Sequence, residues 1–324
     1  MGGMRFEKEI PEKEIIKYRQ TINLITMTKK TITRRTLLKN SALATVAGAL
    51  YLNFPVKLFG RNPEKKTKVI LIRDEKVIDD SRTIDKTVIR NMLDEAVKEL
   101  TGFDEIQAAW KSLIKPDDIV GIKTNAWGRL RTPLELEDAI KNRVMEVGVP
   151  GDKISIRDSG LLDDPVFTKG TALINVRPMR THDWSGVGSL IKNYIMFTRK
   201  PWSYHGNTCA DLATLWDIPM VKGKTRLNIL VMLTPLFHGI GPHHYNKKFT
   251  WAYKGLLVGF DPVAIDSVGV QILQARRTEY FGEERPIKPP VKHVFLADTR
   301  HHLGTADPEK IDLVKLGWKE NILI

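Results

Sequence analysis

The chain has one cysteine, Cys209, among 324 residues. A single thiol closes no intramolecular disulfide, and it cannot supply the several thiolates that an iron–sulfur cluster or structural zinc site takes from one chain. No iron–sulfur cluster is therefore expected. Also missing are a phosphate-loop or dinucleotide fingerprint, a Gly-x-Ser-x-Gly elbow, and any His-x-x-x-His or His-Glu-x-x-His helix pair, which removes the commonest nucleotide-binding, serine-nucleophile and zincin signatures. There is no internal repeat and no low-complexity segment. The uncharged, apolar-rich stretch 40–56 spans 17 residues and contains Gly48, Asn53 and Pro55. A bilayer-spanning helix needs about 20 predominantly apolar residues, so a permanent anchor is the lesser alternative there.

With 42% hydrophobic and 27% charged residues, the composition is that of a globular protein rather than a disordered or multi-span membrane chain. The formal charge is +13, from 51 basic and 38 acidic side chains. Residues 1–50 hold ten of the basic and four of the acidic ones, leaving 41 against 34 in the remainder. No run of Lys and Arg interleaved with aromatics occurs there, and no nucleic-acid partner is expected.

The N-terminal excess surrounds Thr33-Arg34-Arg35-Thr36-Leu37-Leu38-Lys39, which, with the apolar stretch that follows, resembles a twin-arginine export signal. From Met27 the chain reads as a compact basic n-region, which makes Met27 the better start, and Ala47-Gly48-Ala49 offers a small-residue cleavage site. This reading implies the twin-arginine translocase as a partner, and a periplasmic or cell-envelope location. Such substrates cross the membrane folded, so the core and any ligand would be acquired in the reducing cytosol, which suits a chain with one thiol. Residues 1–60 are accordingly read as leader and linker, and 61–324 as the folded domain.

Beyond the polar segment 61–67, strand and helix patterns alternate. Lys68–Ile72 is a β-branched run; Thr83–Leu100 places Ile84, Val88, Met92, Ala96 and Leu100 four apart; Ile119–Ile122, Pro133–Val147 and Ile154–Ile156 repeat strand, helix and strand. Ala172–Val176, Leu227–Leu233, Leu256–Val258 and, last, Val294–Ala297 read as further strands. The expected fold is α/β, a mostly parallel sheet with helices on both faces, Rossmann-like, with large insertions in the second half.

In such sheets ligands bind beyond the carboxyl ends of the strands. That places Lys123 and Asn125 after strand two, Arg157-Asp158-Ser159-Gly160 after strand three, and the run from Arg177 to Trp184 after strand four. A turn at Ser185 and Gly186, with Ser185 as helix N-cap, would present free N–H groups to an anion and carry Lys192 and Asn193 about two turns on. Asp261, followed by Pro262, is either a ligand contact or simply a helix cap; Asp266 would need a partner such as Lys123 or Lys192. His182 and His205, next to the aromatic Trp184 and Tyr204, are the candidates for acid–base work. His182, Asp183, His205 and His243 are the candidate metal ligands, for zinc, nickel or iron. Cys209 is either a thiolate favoured at a helix start or an inert packed thiol.

The segment Thr181–Asn193, the pair Tyr204-His205, Gly239-Ile240-Gly241-Pro242 and the stretch Gly255–Gly269 occur in an order and spacing that resembles the domain-of-unknown-function family numbered 362, over about residues 115–275. Members of that family are often exported or carry a ferredoxin-like module, and no activity is settled for the family; lacking the cysteines, this chain inherits no electron-transfer role from the resemblance. A looser similarity links Asp118–Lys123, Arg131-Thr132-Pro133 and Asp158-Ser159-Gly160 to the amino-terminal domain of nickel-pincer lactate racemases. It implies an α/β domain gripping an acidic small molecule or phosphorylated cofactor, without implying nickel or racemisation. The expectation is an exported α/β protein with a cationic, His-containing crevice for a small anionic ligand or cofactor. The alternatives are a noncatalytic envelope binding or scaffold protein, and a metal-dependent enzyme with His/Asp ligands.

Overall fold

The computed structural model describes residues 66–239, 241 and 244–324. The twin-arginine segment, Met27, the Ala47–Ala49 site and His243 lie outside the described residues. The described chain forms an α/β fold whose mixed, mostly parallel eight-stranded sheet is flanked by helices.

Strand β1 (Thr67–Arg73) leads to α1 (Lys86–Thr101) and α2 (Ile106–Leu113); β2 (Val120–Lys123) to α3 (Leu134–Val147); β3 (Ile154–Arg157) to α4 (Pro165–Lys169). Strand β4 (Ala172–His182), the short β5 (Gly186–Gly188) and α5 (Leu190–Asn193) follow. Next come β6 (Thr225–Leu236), β7 (Gly255–Gly259), α6 (Pro262–Phe281), α7 (Lys292–Thr299) and β8 (Ile311–Gly317). The spatial order is β3-β2-β4-β6-β7-β1-β8, with β5 on β4. The β3-β2-β4-β6 half is parallel throughout, whereas β7 is antiparallel to both β6 and β1, and β8 runs parallel to β1.

Two-residue periodicity explains how the sheet is covered. Ile70 and Ile72 of β1 join one apolar cluster with Ile89, Leu93 and Val97 of α1 and Ile140 and Val144 of α3. The intervening Val69 and Leu71 join another, with Val263, Val268 and Ile272 of α6 and Val294 of α7. Alternate side chains of one strand thus reach opposite faces, as the pleat requires. Local chemistry sets the helix limits. The Asp85 carboxylate accepts from Thr87 N and Val88 N at the start of α1, and Gly102, at φ +75°, closes it with a bond to Lys98 O.

Two elements differ from the sequence expectation. Val294–Ala297 belongs to α7, not to a strand: a four-residue apolar run carries no period of its own, and in α7 it is His293, Val294 and Ala297 that are buried. The last strand is instead β8, an edge strand in which Asp312 and Lys315 interrupt the apolar residues. The most consequential difference is length. Strand β4 continues past Val176 to His182, with all eleven residues buried. Pro178 supplies no N–H, and the pairing with β6 jumps there from Pro178 opposite Val231 to Arg180 opposite Leu236, an irregularity of the kind that re-aims side chains. Arg177, Arg180 and His182 are therefore carried inside the protein rather than onto a surface loop.

Candidate functional site

Lys123 ends β2 fully buried. Its ammonium donates to Asp158 Oδ1 at 2.9 Å, Asn193 Oδ1 at 3.1 Å and the Thr124 carbonyl at 2.6 Å. Burial pushes its pKa down to about 8, against the pull of Asp158. With three protons on three acceptors, Lys123 is hydrogen-bonded within the protein at each of its protons. Asn193 is part of the same brace: its amide donates to Asn175 Oδ1 at 2.8 Å, and to the Lys123 and Val176 carbonyls. Asn175 in turn reaches Asn228 Oδ1 at 3.1 Å, and Asn228 reaches the Phe260 carbonyl at 2.9 Å. This amide ladder ties the carboxyl end of β2 to the first half of β4 and of β6, where Asn175 and Asn228 lie side by side.

The segment expected to cradle an anion is otherwise occupied. Ser185 donates to the Val187 carbonyl, and Gly186 begins β5, which pairs antiparallel with the end of β4. Gly186 has φ +76°, and a Cβ there would collide with the Pro289 carbonyl. Ser189, not Ser185, precedes α5. The N–H groups of Leu190 and Ile191 are taken by the Asp266 carboxylate, each at 2.9 Å, which also accepts from Ser189 Oγ at 2.7 Å. Burial raises the Asp266 pKa to about 6, while those three donors hold it down. Its partners are thus α5 and Ser189, where Lys123 or Lys192 was expected. Asp261 caps α6 through Val263 N and Ala264 N and also accepts from Thr305 N. It is a structural cap.

What remains is a buried group of cations. Arg177 is 4% exposed, and its Nε has no hydrogen-bond partner among the described residues. Arg180, equally buried, donates from one terminal nitrogen to Asn125 Oδ1 at 2.9 Å and lies 4.4 Å over the Trp127 ring, but its Nε is unpartnered too. Asn125 therefore acts by positioning Arg180. Lys192 is 3% exposed; among the described residues its Nζ finds one acceptor, the Cys209 sulfur at 3.4 Å. His293 on α7 is fully buried, with both ring nitrogens unpartnered among the described residues. Electrostatics links these groups: burial first, then the charges of Lys192 and Arg177, push the His293 pKa down to about 3. Burial, then Lys192, Arg177 and Arg180, push that of His182 far below the usual imidazole range. Burial and Arg177 lower Arg180 to about 8; burial lowers Arg177 to about 10, and lowers Lys192 to about 8 with help from Arg177.

Trp184, 46% exposed, forms the rim: its ring packs 5.9 Å from His182 and 4.2 Å from the half-buried His205. Burial, then Lys192, depress the His205 pKa. His182 Nδ1 lies 2.9 Å from Asp183 Oδ1 and 3.2 Å from Trp184 N. Among the described residues no three metal-ligating side chains form a cluster; His182 and Asp183 touch, His205 lies across the Trp184 ring, and His243 is outside the described set. The structure therefore draws Lys192, His182, Asp183 and His205 together, turns Lys123, Asn125, Asn193 and Asp266 into their supports, and keeps Ser185, Gly186 and Asp261 in local structural roles.

Two features make room for this cluster. A Cβ on Gly188 would lie 2.8 Å from an Arg177 terminal nitrogen and 3.4 Å from Arg180 Nε, so Gly188→Ala should displace the Arg177 guanidinium. Cys209 reaches Lys192 from an unusual backbone: Asn207, Thr208 and Cys209 follow one another at φ +47°, +55° and +63°. Left-handed non-glycine residues cost roughly 1–2 kcal/mol each, and Thr208 also buries an unpartnered hydroxyl. Thr208→Gly should therefore raise the unfolding free energy by about 1 kcal/mol, read by urea denaturation; a fall would show that the turn is not strained.

The cluster also fixes an expected pH dependence. The folded-state pKa values of Lys192 and Lys123 lie near 8, below the unfolded value of about 10.4. Between about pH 8 and 10 the unfolded chain holds more protons, so stability should rise with pH by up to about 1.4 kcal/mol per unit for each group. The Cys209 thiol, raised by burial, opposes this as one group against several. The unfolding midpoint of ligand-free protein should accordingly be higher at pH 9.5 than at pH 7.5, and saturating anion should flatten the difference.

Arg177 and Arg180 enter the sequence reading only as members of the run after strand four, without a role of their own, and His293 does not enter it. The two arginines look like the start of a loop once Pro178 follows, and His293 immediately precedes the run read as a strand. Asn175 and Asn228, polar residues inside apolar strands, were the available sign of a buried polar layer. Comparison of the chain with protein-family models, with curated proteins and with solved structures returns no match.

Proposed function

We propose that this protein binds a small oxyanion-bearing molecule in the cationic cluster beneath Trp184 and performs proton transfer on it with His182. The observation that carries the reading is the Arg177 guanidinium on β4, buried just past the last pairing with β2, with Nε unpartnered among the described residues. Burying a charge costs several kcal/mol; Asp158 and Asp266 attract Arg177, but each is already hydrogen-bonded elsewhere, Asp158 to Lys123 and Asp266 to α5. A carboxylate or phosphate between Arg177, Arg180 and Lys192 completes the charge balance, and a guanidinium fork suits it geometrically.

In this reading Nδ1 of His182 accepts from the Trp184 N–H at 3.2 Å, which places the proton of the neutral ring on Nε2. Nε2–H is then the proton donor, the positive neighbours keeping the ring neutral. His205 and Trp184 form the cover. The parallel half of the sheet serves as a Rossmann-like unit with its ligand at the carboxyl edge, and the segments between β4 and β7 are the insertions that roof it. The protein would reach the envelope through the twin-arginine translocase, already folded around its ligand. The resemblance to a family without settled activity adds no chemistry, so the reading stands on the cluster.

The test is a thermal-unfolding titration with phosphate, malate and pyruvate against chloride at matched ionic strength. At least one oxyanion should raise the midpoint saturably while chloride does not. His182→Gln should keep that shift, since the proton-transfer group is not the anion grip, whereas Arg180→Met should reduce it. Equal shifts from chloride and the oxyanions, or a shift untouched by Arg180→Met, would refute the proposal.

A further inference from the structure

Lys192 and Lys123 are both lysines buried at the same sheet edge, yet their surroundings differ in kind. Lys123 satisfies three protons with a carboxylate, an amide oxygen and a carbonyl. Among the described residues, Lys192 has only the Cys209 sulfur as hydrogen-bond acceptor, a weak one. Its electrostatic neighbours include Arg177, with His182, His205 and His293 all responding to its charge. Such a setting disfavours an ammonium and leaves an amine with a free lone pair, which is how desolvation beside other cations activates a lysine as a nucleophile. His293, with neither ring nitrogen hydrogen-bonded in the described structure, is an independent sign that the space beside Lys192 is built for a polar guest.

We propose that Lys192 is a nucleophile that forms an imine with a 2-oxo acid, the carboxylate of the substrate being held by Arg177 and Arg180. This deepens the oxyanion reading and rests on it. The Nζ lone pair forms a bond to the carbonyl carbon, and the carbonyl π pair moves onto oxygen. One amine proton passes to that oxygen through the neighbouring imidazoles, giving a carbinolamine. The C–O bond then breaks, the hydroxyl leaves as water with a proton returned by the same relay, and a C=N bond remains; amine plus ketone become imine plus one water. A short 2-oxo acid fits because its carboxylate is one bond from the reacting carbon, and Arg177 is an immediate electrostatic neighbour of Lys192.

The experiment incubates the full chain with pyruvate and sodium cyanoborohydride, whose hydride reduces an imine to a stable secondary amine, and locates adducts by peptide mass spectrometry. Near neutral pH, an amine titrating near 8 is neutral about a hundredfold more often than an ordinary lysine. Lys192 should therefore be labelled well ahead of every surface lysine, with Lys123 unlabelled and excess phosphate suppressing the reaction. Lys192→Met should remove the adduct and leave the fold intact, since among the described residues no carboxylate is hydrogen-bonded to Lys192; circular dichroism checks the fold. If pyruvate raises the unfolding midpoint but no Lys192 adduct forms, the amine proposal fails and the anion site stands. If the adducts lie on surface lysines at equal rates, the amine proposal fails as well. If there is neither stabilisation nor adduct, both fail.

Discussion

Arg177→Met should make the ligand-free protein more stable, by about 1–4 kcal/mol, while abolishing stabilisation by oxyanions. Most buried substitutions do the reverse. Methionine is flexible and fills a comparable volume, and removing the guanidinium deletes a buried charge whose Nε has no partner. The change also relieves the positive field that disfavours the charged forms of Arg180, Lys192 and His182. What is lost is attraction to Asp158 and Asp266, but Lys123 and α5 still hold those carboxylates. Urea denaturation at fixed pH without added oxyanion measures the effect. A destabilisation of the size usual for breaking a paired buried charge would mean that Arg177 is a structural brace.

The same substitution at Lys123 should have the opposite sign. Lys123→Met leaves Asp158 half-buried with only Ala126 N as a hydrogen-bond partner, leaves the Asn193 and Thr124 oxygens without their donor, and undoes the brace between β2 and α5. The expected loss is about 3–5 kcal/mol, large against a total stability of about 5–15 kcal/mol. Denaturation of the two variants side by side separates a cation kept for structure from one kept for a ligand. If both behave alike, hydrogen-bond satisfaction does not distinguish them, and the assignment of roles fails.

Much of the architecture was readable along the chain. The β-branched run at β1, the four-residue spacing over α1, the repeat through β2, α3 and β3, and the Asp-Pro start of α6 are all local patterns, and they reappear with shifts of a few residues. The second half was less legible because its elements obey tertiary rather than local rules. The tail of β4 carries two arginines, a proline and a histidine, a composition that reads as a loop; it is a strand because β5 and β6 flank it. The N–H groups at α5 looked free because Asp266, which satisfies them, lies about 75 residues away in sequence. Proximity of Lys192, His182 and His205 was expected from topology, but their supports were not separable from the ligand-facing groups without a hydrogen-bond count. Lys123 and Lys192 have the same side chain, and only their acceptors tell them apart.

The central claim is that the space between Arg177, Arg180 and Lys192 is an oxyanion site. Anomalous diffraction from crystals of the full chain soaked in selenate locates such an ion directly. The account predicts a selenium peak within hydrogen-bond distance of the Arg177 guanidinium in the wild-type protein and none in Arg177→Met. A peak confined to surface lysines, with the Arg177 Nε bonded instead to a protein carbonyl or carboxylate, would contradict it.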